Sequence, residues 1–428
     1  INPNDQEIEL IKKRSAVQAE SLKSTVETIF FEVMNKGDEA LFEYAKKFDG
    51  VELENLKVSS SELLDAESLI TEALKTAIKE AYHNIYQFHD QNKDIKGKVI
   101  ETVKGVQTWS NLKPIQKVAI YIPGGTAPLV STLLMLGIPA KIAGCEEIAI
   151  LTPPGKDTKI DPAILFTAKL LGINSIYKVG GAGAIAAATF GTETIPKVFK
   201  IFGPGNSFVT EAKQLSQNYA MAIDMPAGPS EVAIIADSFA DIDFVVSDVL
   251  AQLEHGTDSE ACIMTTANVI FDNFEKVLNK QLQDLPRTDI LNQSINNIKL
   301  IKLDSLDQAI QIANLYASEH LIINTHEPSK IADKITNAGS VFLGQFCPES
   351  AGDYISGPNH TLPTYGFATS YSGVSVRSFQ KEIFYQQIDK PGLAKLAPSI
   401  KELAESEGLL AHWKSVEIRL NNPYSDFE

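Results

Sequence analysis

The sequence predicts an α/β fold with two Rossmann-like units, mostly parallel sheets, and helical segments at both ends. The first observation is that short apolar runs alternate with helical segments from about residue 116 onward, which is typical of βαβ units. The second is that the regions before about residue 100 and after about residue 380 show helical periodicity. The third is an ordinary globular balance of 44% apolar and 21% charged residues over 428 positions. This length corresponds to two or three domains.

The expected strands are the apolar runs, and we expect helices between most of them. They lie at 118–122, 148–151, 175–179, 198–202, 232–236, 262–265, 321–324 and 341–343. They could form one sheet, but the turn Met-Pro-Ala-Gly-Pro-Ser at 225–230 favours a break into two α/β units. In the helical regions we expect helices at 25–35, 38–50 and from Ser61 to about residue 91, and at 396–404 and 409–420 near the end.

The charge pattern excludes two classes of partner. The formal net charge is −16, the pI is about 5.0, and no block of Lys and Arg is present. We therefore expect neither nucleic acid nor an anionic membrane surface as a partner. The stretch 118–140 carries no charge and is long enough to cross a bilayer, but its Pro and Gly residues predict a buried strand, a turn and a helix instead.

The cysteines indicate a reducing compartment. Cys145, Cys262 and Cys347 are isolated from one another and form no C-x-x-C motif. No basic residue flanks them, so we expect all three to be buried packing residues and not nucleophiles. The first residues are polar and show no signal-peptide pattern, and we expect a cytoplasmic location.

Four polar clusters stand out, and they contain four of the seven histidines. The segment from Ser350 to His360 is rich in Gly, Pro and Ser and is predicted to be a loop. Together the clusters predict a metal site or an acid–base site assembled from distant parts of the chain. Their polar residues are Gln252 with His255, Glu319 with His320, Asp353 with His360, and Glu407 with His412.

Each cluster also has a simpler explanation. Gln252 and His255 are three residues apart near the end of an expected helix, so both could reach one ion, but a histidine at a helix C-terminus also favours the helix dipole. His320 has the residue type of a general base, although the adjacent Glu319 need not point the same way. The tail cluster could be part of an amphipathic helix.

Two Gly-rich turns follow expected strands and precede expected helices, at 121–126 and 202–206. Such turns let backbone N–H groups approach a phosphate. A third segment, 181–186, matches the dinucleotide fingerprint G-x-G-x-x-A. The acidic residue expected about 20 residues later is missing. Close packing of a helix on a strand through small residues explains this segment equally well.

Together these segments resemble the histidinol dehydrogenase family. The resemblance keeps the motif order from about residue 20 to about residue 420. It rests on the segments 121–125, 202–206, 224–231, 251–256, 318–321, 350–360 and 407–412.

The resemblance implies an enzyme that depends on Zn²⁺ and NAD and forms a homodimer. It would oxidise L-histidinol through histidinal to L-histidine in two hydride transfers, at the end of histidine biosynthesis. The zinc ligands carried over by motif are Gln252, His255, Asp353 and His412, and the bound substrate would complete the shell.

The remaining roles follow from the same resemblance. His320 would be the general base, and Glu319 would activate the water that attacks the aldehyde. The other expected contacts are Ser230, His360 and Glu407 to substrate, and Tyr121 and Asn206 to NAD. Gly183 departs from the pattern, because the family usually has a Gln there that contacts NAD.

The implied domain organisation has four parts. We expect an N-terminal helical segment at 1–20, and a first α/β domain from 21–120 and 231–374 that carries most zinc and catalytic residues. Residues 121–230 would form a second, NAD-binding α/β domain. The tail, 375–428, would pack on or swap with the partner subunit, so that Glu407 and His412 complete the partner's active site.

Three alternatives stay open at this point. A relative with the same base and zinc could oxidise a different polar alcohol. A zinc hydrolase would also use zinc, Glu and His to activate water. A non-catalytic α/β binding or scaffold protein is the third, although an intact set of ligands and base argues against it.

Overall fold

The computed structural model describes residues 1–14, 19–93, 97–124, 128–226 and 228–422. These residues form two compact units. The first comprises Ile1–Asn92 and Ile115–Phe379, and the second comprises Lys93–Pro114 and Gln380–Glu428. Gly125 and Thr126 of the first Gly-rich turn, and Ala227 of the turn at 225–230, lie outside the described residues.

The α-helices of the described residues are α1 (Asp5–Lys12), α2 (Ala19–Lys36), α3 (Asp38–Tyr44), α4 (Ser60–Asp65), α5 (Glu72–Gln91), α6 (Val130–Ala143), α7 (Pro162–Leu170), α8 (Gly181–Phe190), α9 (Ser207–Ser216), α10 (Ile242–Leu253), α11 (Asn268–Leu282), α12 (Thr288–Ser294), α13 (Leu306–Tyr316), α14 (Pro328–Ala332), α15 (Glu349–Tyr354), α16 (Lys390–Ser406) and α17 (Leu410–Asn421). A π-helical turn, Ala45–Asp49, continues α3. Among the described residues no helix is both long and apolar enough to cross a membrane.

The strands of the described residues are β1 (Ile100–Val103), β2 (Val106–Pro114), β3 (Lys117–Tyr121), β4 (Glu147–Thr152), β5 (Ser175–Lys178), β6 (Lys200–Phe202), β7 (Ala222–Ile223), β8 (Glu231–Ala236), β9 (Glu260–Thr265), β10 (Ile298–Lys302), β11 (His320–Asn324), β12 (Ser340–Leu343) and β13 (Gln380–Ile388).

The first parallel sheet has the order β5-β4-β3-β6-β7. Successive side chains of its central strand β3 point into two different hydrophobic cores. Val118 and Ile120 pack with helices α5 to α7, whereas Ala119 and Tyr121 pack with helices α2, α8 and α9. A strand with both faces buried reads as a continuous apolar run, which is why this strand was recognisable in the sequence.

The second parallel sheet has the order β10-β9-β8-β11-β12. Val232 and Ile234 of β8 face a core with α10 and α11, and Ala233 and Ile235 face a core with α13. Both parallel sheets belong to the first unit. Every strand of the first sheet precedes the turn at 225–230, and every strand of the second sheet follows it.

The second unit contains an antiparallel sheet of order β1-β2-β13 and the helices α16 and α17. Strand β13 pairs with β2 over nine residues, and the rings of Trp109 and Tyr385 stack across the pair with centroids 5.4 Å apart. Asp389 caps α16 by accepting the backbone N–H of Gly392.

The fold class and most predicted elements are confirmed, and three details were wrong. The segment after Ser350 is not entirely a loop, because a short helix, α15, runs through Asp353 and ends before Ser356. The helix expected from Ser61 to residue 91 is interrupted near Ile70, which is extended. Cys347 is only partly buried, unlike Cys145 and Cys262.

A buried ion pair holds the second Gly-rich turn in place. Nζ of Lys213 lies 2.5 Å from Oδ1 of Asp224 and donates to the carbonyl of Gly203 at 2.8 Å. The other carboxylate oxygen of Asp224 accepts the N–H of Gly203 at 2.8 Å. Both charged side chains are almost completely buried. The pair therefore fixes the turn after β6 through both of the backbone groups of Gly203.

Lys213→Met is expected to destabilise the protein by about 3–5 kcal/mol, because it leaves the Asp224 carboxylate buried without a cation. The measurement is urea unfolding. Lys334→Met is the control, since Lys334 forms an exposed pair with Asp307 and should cost about 1 kcal/mol or less. Equal losses in the two variants would contradict the structural role of the buried pair.

Candidate active site

The polar cluster of the second sheet lies at the amino ends of its strands. β8, β9 and β11 begin with Glu231, Glu260 and His320, and all three side chains are buried. Helix α10 runs back towards this edge and ends one residue after Gln252. Polar residues from several separate segments therefore meet at one edge, where the negative end of the α10 dipole also points.

His320 is the centre of this cluster, and its side chain is 4% exposed. Its Nδ1 atom lies 3.0 Å from the Gln252 amide, 3.5 Å from Oε1 of Glu349 and 3.8 Å from Oε2 of Glu319. Its Nε2 atom lies 3.7 Å from Oδ1 of Asp353 and has no hydrogen-bond partner among the described residues. Nδ1 is therefore held by the protein, and Nε2 is the ring atom left for another group.

The Gln252 amide has one chemically sensible orientation beside an ionised Glu349. One amide atom lies 2.8 and 2.9 Å from the two carboxylate oxygens of Glu349. An oxygen there would face only acceptors, so this atom is assigned as the amide nitrogen, which donates to Glu349 and to Nδ1 of His320. The carbonyl oxygen then points away from the carboxylate.

Asp353 connects three histidines. One carboxylate oxygen lies 3.8 Å from Nε2 of His255, and the other lies 3.7 Å from Nε2 of His320. The backbone carbonyl of Asp353 accepts a hydrogen bond of 2.9 Å from Nδ1 of His360. Nε2 of His360 is consequently an acceptor, 3.4 Å from the Thr132 hydroxyl.

A cavity of about 120 Å³ opens beside these groups. His320, Asp353 and His360 line it, together with the partly buried Cys347. A larger cavity, of about 390 Å³, lies at the amino ends of β4 and β5 in the first sheet and is lined by neither histidine nor cysteine. The smaller cavity is therefore the one where histidine and carboxylate side chains meet.

The carboxylates of the cluster lack a basic counterion. None of Glu319, Glu349 and Asp353 pairs with a Lys or Arg within the part of the chain that the structure describes. Burial raises the pKa of Glu319 and Glu349 well above the usual range, and it raises the pKa of Asp353 to about 7. Such a cluster favours the binding of a cation.

The histidines are held neutral. Burial lowers the pKa of His320 to about 3, with smaller contributions from His255 and His360, and it lowers the pKa of His360 to about 4. A neutral imidazole can accept a proton or bind a metal ion, whereas a protonated one can do neither.

The donor set fits a zinc ion. Ligand atoms of His255, Glu349 and Asp353 lie within 4.8 Å of one another. The buried Gln252 adjoins this set through the contact of its amide nitrogen with Glu349. Imidazole nitrogen and carboxylate oxygen are common zinc ligands, and the uncompensated negative charge suits a divalent ion. The predicted ligands Gln252, His255 and Asp353 are thus brought together.

Glu319 and Ser230 adjoin the cluster. Oε2 of Glu319 accepts the backbone N–H of Glu231 at 3.0 Å, which places this carboxylate at the start of β8. Ser230, the preceding residue, is half-buried. Glu231 itself is paired with Arg14 at 2.9 Å, so the strand end that holds Glu319 is anchored by a buried ion pair.

The predicted cofactor residues lie at the carboxyl ends of the first sheet. The Tyr121 hydroxyl at the end of β3 accepts the N–H of Gly181, the first residue of α8, at 3.1 Å. Asn206 follows β6, is exposed, and caps α9 by accepting the N–H of Val209. Open parallel sheets usually bind their ligands at this edge.

Gly183 is buried in the first turn of α8, and an aromatic ring lies beside it. A Cβ atom at this position would lie 3.3 Å from Cδ2 of Tyr44 and 3.5 Å from a methyl carbon of Leu41. A side chain there would require Tyr44 to move by a few tenths of an ångström. Tyr44 and Leu41 therefore occupy part of the space that a side chain at position 183 would need.

Glu407 and His412 lie in the second unit and are exposed. Glu407 is the C-cap residue directly after α16, and His412 lies in the first turn of α17. Their predicted contribution to a partner's site stays a prediction. His326 is an exposed loop residue, and His89 is a buried helix residue.

Sequence reasoning missed Glu349 and Asp248. Glu349 lies one helical turn before Asp353 on α15, and Asp248 lies one turn before Gln252 on α10. Both are buried, and burial raises the pKa of Asp248 to about 7. The i, i+4 spacing from a predicted ligand was the signal in each case, but it becomes informative only once the helices are known.

Comparison with known proteins gives a consistent result. The sequence profile of the histidinol dehydrogenase family matches residues 12–420. The histidinol dehydrogenase of Bacteroides thetaiotaomicron is 50% identical over 419 residues, covering 98% of each chain. That of Aliivibrio fischeri is 45% identical over 420 residues, covering 97% of this chain and 94% of the relative.

A solved structure agrees with the sequence comparison. The crystal structure of histidinol dehydrogenase from Elizabethkingia anophelis superposes with a TM-score of 0.95 at 49% identity, covering 98% of this chain and 96% of that one. Sequence, fold and motif order point the same way, and the chain belongs to the histidinol dehydrogenase family.

Proposed function

We propose that this protein is an oxidoreductase that converts L-histidinol through histidinal to L-histidine, with NAD as hydride acceptor and one Zn²⁺ per subunit. These are the closing steps of histidine biosynthesis. The family assignment supports the substrate. The observation that carries the chemistry is a neutral, buried His320 whose Nε2 atom is unpartnered at a cavity beside a compact set of zinc-type ligands.

His320 is proposed as the general base for the alcohol step. Alcohol oxidation requires a base that takes the hydroxyl proton while hydride leaves the same carbon for NAD. The lowered pKa keeps the ring neutral but also makes it a weaker base, so proton uptake depends on the surrounding carboxylates to stabilise the imidazolium. Acceptance at Nε2 requires the ring hydrogen on Nδ1, so Nδ1 must give up the hydrogen bond that it accepts from the Gln252 amide and donate towards Glu349 or Glu319 instead, whose carboxylate oxygens lie 3.5 and 3.8 Å away.

Glu319 is proposed to activate water for the aldehyde step. Addition of water to histidinal gives a hydrate, and loss of a second hydride from that hydrate gives the carboxylate. Overall, histidinol, water and two NAD⁺ give histidine, two NADH and three protons. The buried Glu319 carboxylate is a stronger base than an exposed one, because its pKa is raised, and the Glu231 N–H fixes its orientation.

The proposed zinc ligands are Gln252, His255 and Asp353, with His412 supplied by the partner subunit. When bound, zinc would supply a fixed positive charge that orients the substrate and offsets the buried carboxylates. Ser230, His360 and Glu407 are proposed to contact the substrate. Orientation by several contacts matters here, because the aldehyde must stay in place between two hydride transfers.

The proposed NAD site is the carboxyl edge of the first sheet, with Tyr121 and Asn206 as contacts. We accordingly propose 121–230 as the NAD-binding domain, 21–120 with 231–374 as the catalytic domain, 1–20 as a helical segment, and 375–428 as the tail. A homodimer follows if the exposed Glu407 and His412 complete the partner's site. We propose a cytoplasmic location for this biosynthetic step.

The direct test is the amount of NADH formed per L-histidinol consumed, with and without a zinc chelator. The expected result is two NADH per histidinol, abolished by the chelator and restored by added Zn²⁺. NADH formation from another polar alcohol alone would favour a relative with a different substrate. Hydrolytic turnover without NAD would favour a zinc hydrolase, and binding without turnover a non-catalytic protein.

His320→Asn should reduce kcat by about 100- to 10,000-fold, because it removes Nε2 while keeping a polar group near Nδ1. Zinc content and histidinol binding should be retained, and both can be measured directly. His326→Asn is the matched control, since His326 is exposed in a loop, and it should stay within about twofold of wild type. A kcat near normal for His320→Asn would refute the role of base.

Gly183→Gln should lower the NAD dissociation constant by about 2- to 10-fold, the value of one added hydrogen bond of about 0.5–1.5 kcal/mol. Gly183→Ala is the control, because it adds the Cβ next to Tyr44 without an amide. The measurement is fluorescence titration with NADH and NAD. If the Gln variant binds NAD no tighter than the Ala variant, the cofactor does not contact this position.

A further inference from the structure

The Gln252 side chain has two neighbours that could fix its orientation. The side chain is completely buried, and its amide nitrogen lies within 2.8–3.0 Å of both carboxylate oxygens of Glu349 and of Nδ1 of His320. A nitrogen with two hydrogens can satisfy the carboxylate and the ring together. Glu349 has no Lys or Arg partner in the described part of the chain, so its strongest contact is this amide.

The two neighbours differ in one important respect. Nδ1 of His320 is an acceptor in one tautomer and a donor in the other, so by itself it would not select one end of the amide. A cation bound beside Glu349 would favour its ionised form despite the burial, and an ionised carboxylate is an acceptor only. Contact with Glu349 therefore selects the nitrogen end, and an Nδ1 atom without a hydrogen accepts from the same nitrogen.

We propose that Glu349 is a positioning residue for the metal site, which holds the amide nitrogen of Gln252 and so presents its carbonyl oxygen to the ion. This inference rests on the proposed zinc dependence. Glu349 acts through Gln252, although its own oxygen lies within 4.8 Å of ligand atoms of His255 and Asp353.

The geometry allows one competing role, which is that Glu349 is itself a ligand. The two roles make different predictions for a double-mutant cycle with Gln252. If Glu349 works only by orienting Gln252, substituting Glu349 should not change the Zn²⁺ affinity of a protein that already lacks the Gln252 side chain. If it binds the ion itself, its substitution weakens binding in either background.

The experiment measures Zn²⁺ affinity of the purified full-length protein by competition with a chromogenic chelator, without any assay of turnover. Four proteins are compared: wild type, Glu349→Gln, Gln252→Ala and the double variant. Glu349→Gln keeps the shape of the side chain but can present either an oxygen or an NH₂ group, so the selection of the amide end is lost. Thermal unfolding of the metal-free proteins checks that each variant is folded.

The expected result is that Glu349→Gln raises the zinc dissociation constant about 10- to 100-fold in the wild-type background and less than about twofold in the Gln252→Ala background. Unchanged affinity in the wild-type background would overturn the inference. Equal losses in both backgrounds would also overturn it and make Glu349 a ligand. If the wild-type protein binds no zinc, the proposed zinc dependence is refuted, and the proposed role of Glu349 is refuted with it.

Discussion

The group of buried carboxylates at the amino edge of the second sheet is the constraint on which the site depends. Glu319, Glu349 and Asp353 surround one histidine, and no lysine or arginine among the described residues neutralises them. Burying an ionised carboxylate without a partner costs several kcal/mol. The cluster therefore strongly favours the binding of a positively charged group. A bound cation satisfies that preference.

The two parallel sheets of the first unit use opposite edges. The first sheet offers Gly-rich turns and helix N-termini at the carboxyl ends of its strands, which is the usual ligand edge of an open α/β sheet. The second sheet has its carboxylates and histidines at the amino ends, next to the C-terminus of α10. Helix N-termini suit phosphate and helix C-termini suit a cation, so the backbone itself favours this division.

The elements that could be predicted from the sequence are those with a recognisable pattern within a short segment. Buried strands such as β3 and β8 read as continuous apolar runs, and the order of the polar motifs carried the family resemblance. The antiparallel sheet was missed because β2 and β13 mix polar and apolar residues and because strand partners so far apart in sequence give no local pattern. Strand β10 was missed because its Lys residues break the apolar run.

The candidate site was predictable in part for the same reason. Gln252, His255, His320 and Asp353 stand in recognisable motifs, and the structure brings them together. Glu349 was not predictable, because its importance comes from a contact with Gln252 that lies across the fold. Its helix was expected to be a loop, since Gly and Pro dominate the segment that follows, and only a helix puts Glu349 and Asp353 on one face.

We propose that these buried carboxylates form a cation site. The most direct test is calorimetric titration of the metal-stripped protein with Zn²⁺ near pH 7, in two buffers of different ionisation enthalpy. We expect one ion per chain and the release of protons on binding, because Asp353, with a pKa of about 7, must ionise to act as a ligand. Binding without proton release, or no binding, would contradict it.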